Sequence, residues 1–395
     1  MSGPTGRRRL LFISNGIGED SVGAEIVRRL PPGLEVEAYP TLGAGRHYDG
    51  VCKVVGPRAE LASQGSRVGS GTVARDIASG GLATIPAGLA FLRRSRNDYD
   101  HHVVIGDFIG VAGCWLSGVR GITYLDVYRT GYGRPYSAIE RWIVASTCGT
   151  VFNRSERLAE TLIAAGVDAR AAGNVMMDTI PSGDYGAPGR RTRPLAVTLL
   201  PGSRDRTAAD FSLQIAALAG LPEALRPDIF VAVADGIEVN ALARASALQF
   251  SAPASSEQAD LGRLTGRGLV VHLARGAFGN LLAASDLVLS QAGTATIQAL
   301  GSGKPVITFT RPADRMKRFL EENRLFGEAR LLVAAEPSAI TAATRTLLAD
   351  PEEMARLGAI GHRRIGGPGA MSEIIAAIVP QAAPSAPGGE LSASP

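Results

Sequence analysis

Short apolar runs alternate with amphipathic stretches along most of the chain. Leu10-Leu11-Phe12-Ile13, inside a strand expected at Arg9–Ser14, is the unbroken apolar block of a strand covered on both faces. Asp20–Leu30 follows with Val22, Ile26, Val27 and Leu30 on one helical face. The same alternation predicts strands at Leu34–Tyr39, Val51–Val55, His102–Ile105, Gly121–Leu125, Thr150–Phe152 and Asp168–Ala172, and helices at Gly80–Arg96, Phe108–Ser117, Ala138–Ser146 and Ser155–Ala165. Residues 181–193, PSGDYGAPGRRTR, lack apolar periodicity and are rich in turn formers, so they read as an interdomain linker. A second series has strands at Leu195–Leu200, Ile229–Val233, Leu269–His272, Asp286–Ser290, Pro305–Phe309 and Arg330–Val333, with helices between and after them. Residues 380–395, rich in Pro, Ala, Ser and Gly, are expected to be disordered. This pattern predicts an α/β protein of two doubly wound, Rossmann-like domains, 1–180 and 194–379, facing across a cleft. Ligands in such folds belong at the carboxyl ends of the strands.

Composition narrows the classes. A chain of 395 residues with 45% hydrophobic and 20% charged residues has enough apolar material for two cores. Cys52, Cys114 and Cys148 are far apart and the five histidines have no zinc-site spacing, so neither a disulfide framework nor a metal is expected. A cytoplasmic location fits this cysteine usage. Arg7-Arg8-Arg9 before Leu10–Ile13 imitates a signal peptide, but the apolar run ends at Ser14-Asn15-Gly16 and Glu19-Asp20 follow. No stretch approaches the ~20 apolar residues of a membrane span. A net charge of +4 suits an acidic small ligand or an anionic membrane surface and is too small to argue for nucleic acid.

Two turns carry the chemistry. Strand Leu195–Leu200 runs into Pro201-Gly202-Ser203-Arg204, with a helix beginning nearby. Free backbone N–H groups, the helix dipole and one guanidinium then converge on one place, which suits a diphosphate. Gln291-Ala292-Gly293-Thr294-Ala295-Thr296 repeats the arrangement after strand Asp286–Ser290, and together the two turns point to a nucleotide-sugar site. Three features mark the first domain. Asn15, Gly16 and Gly18 form a turn after the first strand, with Glu19 and Asp20 opening the next helix. Asp107 ends the strand His102–Ile105-Gly106 at the mouth of the cleft, where a carboxylate serves as a general base or as a helix N-cap. Gly80–Arg96 is apolar and ends in Arg93, Arg94 and Arg96; it reads either as a core helix or as a contact with an anionic membrane.

SNGIGED (14–20), GDFIGVAGCWLSG (106–118), YSAIERW (136–142), GNVMMD (173–178), LLPGSR (199–204) and AGTATIQALGSGKP (292–305) together resemble the lipid-A-disaccharide synthase-related family. They resemble more distantly the lipid-A-disaccharide synthases, UDP-sugar transferases of the GT-B fold. The resemblance implies transfer from a UDP-hexose or UDP-N-acetylhexosamine to a lipid-like or hydrophobic acceptor, without a metal or cofactor. It implies donor contacts from Gly202, Ser203, Arg204, Gly293, Thr294 and Thr296, with Phe278 a candidate for contact with the base. The base toward the acceptor is Asp107, with Glu19 and Asp20 as alternatives. Where the synthases carry a glutamate for the ribose, this chain has Gln298, and DVYRTGYGRPYSAIERW (126–142) replaces their tryptophan-rich segment. A UDP-sugar epimerase and a non-catalytic nucleotide-sugar-binding protein are the alternative readings. The location implied is cytoplasmic and peripheral at the inner face of the plasma membrane.

Overall fold

Strand β1 (Arg9–Ser14) is buried almost throughout, as its apolar block requires, and is an interior strand of a parallel sheet. A computed structural model describes residues 8–58, 84–127, 129 and 135–379 of the chain. The first sheet adds β2 (Glu35–Pro40), β3 (Lys53–Val54), β4 (His101–Gly106), β5 (Ile122–Asp126), β6 (Cys148–Asn153) and β7 (Asp168–Arg170), in the order β3-β2-β1-β4-β5-β6-β7. The order reverses between β1 and β4. Their register pairs Ser14 with Ile105, so Asn15 and Asp107 emerge together at the carboxyl edge.

The second sheet contains β8 (Ala196–Leu200), β9 (Asp228–Ala232), β10 (Gln249–Ser251), β11 (Asp260–Gly266), β12 (Leu269–Ala274), β13 (Leu287–Ser290), β14 (Val306–Thr310) and β15 (Arg330–Ala334). Its order is β10-β11-β12-β9-β8-β13-β14-β15, with the reversal between β8 and β13. Ser290 pairs with Leu200, which brings the two Gly-containing turns to one level. The antiparallel edge β10–β11–β12 was not expected from the sequence. Its hairpin turns at Arg267-Gly268, both with positive φ, as a tight two-residue hairpin requires.

Among the described residues, α1 (Ile17–Arg29), α2 (Thr84–Ser95), α3 (Phe108–Ser117), α4 (Ala138–Thr147) and α5 (Glu156–Ile163) connect the first sheet. In the second half stand α6 (Thr207–Ala219), α7 (Val239–Ser246), α8 (Phe278–Ala284), α9 (Thr294–Gly301), α10 (Met316–Phe326), α11 (Pro337–Leu348) and α12 (Pro351–Ile365). The expected helix at Gly80–Arg96 is present as α2, whose Pro86 lies in the first turn, where its missing N–H costs nothing. Residues 80–83 and the tail 380–395 lie outside the described residues.

Two expectations are corrected by packing. Residues 181–193 are not a loose linker. Tyr185 and Ala187 are buried against the second sheet, Asn280 Nδ2 donates to the carbonyls of Gly183 (3.1 Å) and Tyr185 (3.0 Å), and Arg190 pairs with Asp260 at 2.9 Å. The chain also crosses between the domains twice. After α12 it returns, and α13 (Ala370–Ile378) buries Ala370, Met371, Ile374 and Ile378 with Leu10, Phe12 and Ile26 of the first domain. The range 194–379 therefore loses its last helix to the first domain.

The GNVMMD segment ties the two crossings together. Asn174 is fully buried; its backbone N–H donates to Gly367 O (2.8 Å) and its Nδ2 to Ile365 O (3.1 Å). The carboxylate of Asp178 accepts from the N–H groups of Gly369 (2.8 Å) and Met371 (3.2 Å), which caps α13.

Candidate functional site

At the reversal point of the first sheet, Asp107 is the N-cap of α3, its Oδ1 accepting from Ile109 N at 2.9 Å. The same oxygen accepts from Asn15 Nδ2 at 2.6 Å. Both bonds fall on one oxygen, and Oδ2 has no partner among the described residues. The cap and base readings of Asp107 are thus compatible, because the cap uses one oxygen and leaves the other available. Gly106 permits the close fit: its φ is +139°, and a Cβ there would stand 1.9 Å from Asn15 Oδ1.

The carboxylates of α1 differ from each other. Glu19 folds over Gly16, with its Oε2 2.3 Å from where a Cβ would be. Asp20 is only 2% exposed and accepts from Ser14 Oγ at 2.6 Å, while that hydroxyl also lies 3.1 Å from Tyr48 Oη. Burial pushes the Asp20 carboxyl up to about 7, against the lowering effect of the Ser14 bond, and the nearby Glu19 charge adds to the rise. Asp20 is therefore enclosed under the turn, and its role as a base toward an acceptor is withdrawn in favour of a structural one. Gly18 faces the other domain: a Cβ there would lie 3.2 Å from Thr294 Oγ1.

In the second domain, Gly202 has φ +98° and leads into the exposed Ser203 and Arg204. Thr207, at the start of α6, locks this turn by accepting from Arg204 N (2.9 Å) and donating to Arg204 O (2.6 Å). Beside it, Gln291 N donates to Leu200 O at 2.8 Å and joins the two turns. Gly293 is the N-cap of α9, and a Cβ there would meet nothing within 4 Å, so the backbone is open to a ligand. The opening amides of α6 and α9 therefore stand at one sheet edge, the arrangement that favours an anion.

Three of the sequence-based donor contacts are corrected. Thr296 is buried, with its hydroxyl donating to Ala292 O and lying against Ser290 Oγ, both at 2.6 Å, so it shapes the turn from within. Phe278 is packed in the core with Met177, Leu200 and Leu300. Gln298 is 6% exposed, and its Nε2 donates to Met176 O at 2.8 Å, which anchors α9 to the first crossing. Arg311 was missed. It follows β14, one strand from the reversal point, and pairs with Asp210 of α6. Burial nonetheless holds the Asp210 carboxyl above its ordinary range, outweighing the Arg311 charge. The rule that selects Arg204, a cation in the turn that follows an apolar strand, also selects Arg311.

No family model and no curated protein matches the sequence. Solved structures do match in fold. MurG from Acinetobacter baumannii is 13% identical, with 94% of this chain and 99% of that one covered and a TM-score of 0.54. The spinosyn rhamnosyltransferase SpnG, complexed with thymidine diphosphate, is 16% identical over 92% of this chain and 99% of that one, with a TM-score of 0.52. A putative UDP-N-acetylglucosamine 2-epimerase from Listeria monocytogenes is 15% identical over 94% and 96%, with a TM-score of 0.51. Together with the two parallel sheets and their paired reversal points, these likenesses establish the fold as GT-B, two Rossmann-like domains facing across a cleft.

Proposed function

We propose that this protein is a glycosyltransferase that moves a sugar from a UDP-sugar to a hydroxyl of a lipid-like acceptor. The observation that carries this reading is the pair of helix-opening turns, Gly202–Arg204 and Gly293–Thr294, at the reversal point of one sheet, with Thr294 beside Gly18 at the reversal point of the other. In this reading the amides of both turns and Arg204 hold the diphosphate and stabilise the negative charge that develops on leaving UDP. Asp107 Oδ2 takes the proton of the acceptor hydroxyl as the new glycosidic bond forms, while Asn15 fixes the carboxylate through Oδ1. Two fold relatives, SpnG complexed with thymidine diphosphate and the putative UDP-N-acetylglucosamine 2-epimerase, support a nucleotide-sugar ligand here.

The surface beside Asp107 supports a hydrophobic acceptor. Ile109, two residues on, is 66% exposed, and it is followed along α2, α3 and α4 by exposed Ile85, Leu116, Ile139 and Trp142. These three helices pack side by side, and Arg93, Arg94 and Arg96 lie at one end of the surface. Exposed apolar area of this kind marks an interaction site, and its basic end suits an anionic membrane. The motif resemblance to the lipid-A-disaccharide synthase-related family supports the same acceptor class and a peripheral position at the cytoplasmic side of a membrane.

A thermal-stability screen of UDP, thymidine diphosphate and UDP-sugars tests the donor, because a ligand bound only by the folded state raises the midpoint. A donor that raises it should then release UDP only when a lipid-like acceptor is present. The likeness to a 2-epimerase keeps a second reading in view: conversion of the donor sugar with no acceptor added would establish that activity instead. UDP binding with no turnover under either condition would make the chain a non-catalytic binding protein.

A further inference from the structure

Arg311 leaves the second sheet beside the second Gly-containing turn. Leu289 of β13 pairs with Ile307 of β14. Gly293 comes four residues after the one and Arg311 four after the other, so both pass the sheet edge at one level. The guanidinium of Arg311 nonetheless pairs with Asp210, in the first turn of α6. Its side chain therefore spans the gap between the openings of α9 and α6, the two turns assigned above to the diphosphate. The backbone here is fixed separately. Asp314 accepts from Arg311 N at 2.8 Å and from Nη1 of Arg206, just before α6, at 3.0 Å. The Arg311 side chain is 27% exposed, against 8% for that of Asp210. Among the described residues, Asp210 is its only side-chain hydrogen-bond partner.

We propose that Asp210 and the donor diphosphate compete for Arg311, and that donor binding draws the guanidinium off Asp210 while the carboxylate takes a proton from solvent. This rests on the nucleotide-sugar reading of the second domain. A guanidinium presents parallel donors to phosphate oxygens as it does to a carboxylate, so the two anions can exchange on one cation. The exchange would strand a buried carboxylate, and such a group neutralises rather than stay charged without a partner. The other charges at Asp210 do not replace Arg311. Arg206 attracts, but it is bonded to Asp314, which repels. Helices α7 and α11, packed along α6, carry Arg244 and Arg345, with Glu238 and Glu336 at their N-caps, and all four are exposed. Arg311 supplies the strongest effect opposing the burial that already raises the Asp210 carboxyl, so its departure raises that group further. One O–H bond forms on the oxygen that Arg311 releases, and no co-reactant beyond a solvent proton is needed. Donor affinity is thereby linked to pH.

The test measures UDP binding to the full chain by calorimetry in buffers of different ionisation enthalpy, which counts the protons taken up. Wild type should take up more protons per UDP than Asp210→Asn, by up to about one. The ionisation of UDP itself is common to both and cancels in the difference. Asp210→Asn should also bind UDP more tightly, roughly three- to tenfold, because the competing charge has gone. Arg311→Gln should bind UDP at least about tenfold more weakly, the range of a charge-assisted contact. That variant leaves Asp210 buried and alone, so the neutral pair Asp210→Asn with Arg311→Gln is measured beside it and should fold and bind as weakly. Equal proton counts in wild type and Asp210→Asn would overturn the proposal, as would equal UDP affinity in wild type and the double variant. Weaker UDP binding by Asp210→Asn, or unfolding of both Asp210→Asn and the double variant, would assign the pair to the fold and overturn it too. If wild type binds no UDP, the nucleotide-sugar reading falls and takes the proposal with it; UDP binding with any of the other adverse results overturns the proposal alone.

Discussion

Arg204 stands between a glycine with φ +98° and the start of α6, with its backbone clamped by Thr207. Arg204→Ala leaves that clamp intact and removes a charge-assisted contact worth about 1.5–3 kcal/mol, so UDP affinity measured by calorimetry should fall roughly ten- to hundredfold. Asp107→Asn keeps an oxygen for the α3 cap, because asparagine also caps well, and removes the proposed base. Turnover should fall by about 10²–10⁴ with donor binding unchanged. Survival of turnover in that variant, with its loss in Glu19→Gln, would transfer the role to Glu19. Asp20 makes a pH-dependent contribution. Its folded carboxyl holds a proton up to about 7, whereas the ordinary value is 3.8. As pH rises through that window the unfolded chain releases the proton and the folded chain keeps it, so the protein loses stability and the loss levels off above it. The effect is on the order of 4 kcal/mol at most. Asp20→Asn should flatten this slope in urea titrations from pH 4 to 8; parallel profiles for variant and wild type would show that Asp20 ionises normally.

At the scale of elements, the strand-to-helix turns were legible because apolar strands end abruptly in Gly, Thr and Arg, and that local signal survives in the fold. Side-chain direction was not legible in the same way. Thr294 and Thr296 belong to one motif, but residues two apart on a helix point to different faces; Thr296 is buried while Thr294 remains near Gly18. Phe278 was placed by its loop position, yet it opens α8 and turns into the core. Helix α2 is a half-buried core helix with a basic outer end. Gly88 and Leu92 are buried, while Ile85, Arg93 and Arg94 face outward. Replacing Arg93, Arg94 and Arg96 by glutamine should leave the fold intact and weaken cosedimentation with anionic vesicles, each arginine contributing about 1 kcal/mol. Equal sedimentation of wild type and variant, or none with any lipid, would remove the membrane role from this surface.

Across the whole molecule, the least legible features are those that join residues far apart in the chain. Periodicity gives the helical character of residues 370–378 but does not say which sheet they cover. Nor does the resemblance that marks Gln298 as a ribose contact reveal its bond to Met176 O. A glutamate at 298 would bring a carboxylate against that carbonyl. Gln298→Glu should therefore cost about 1–3 kcal/mol in denaturant unfolding and leave UDP binding no tighter. Tighter binding at unchanged stability would return the residue to the ribose. The double crossing also sets an order of events during synthesis. A ribosome adds roughly 5–20 residues per second, so it works for some tens of seconds between residue 180 and residue 370. Throughout that interval the first sheet lacks the helix that covers Leu10, Phe12 and Ile26, and those side chains stay open to chaperones. The second domain, begun later, completes its own core first, and the half made first is sealed last.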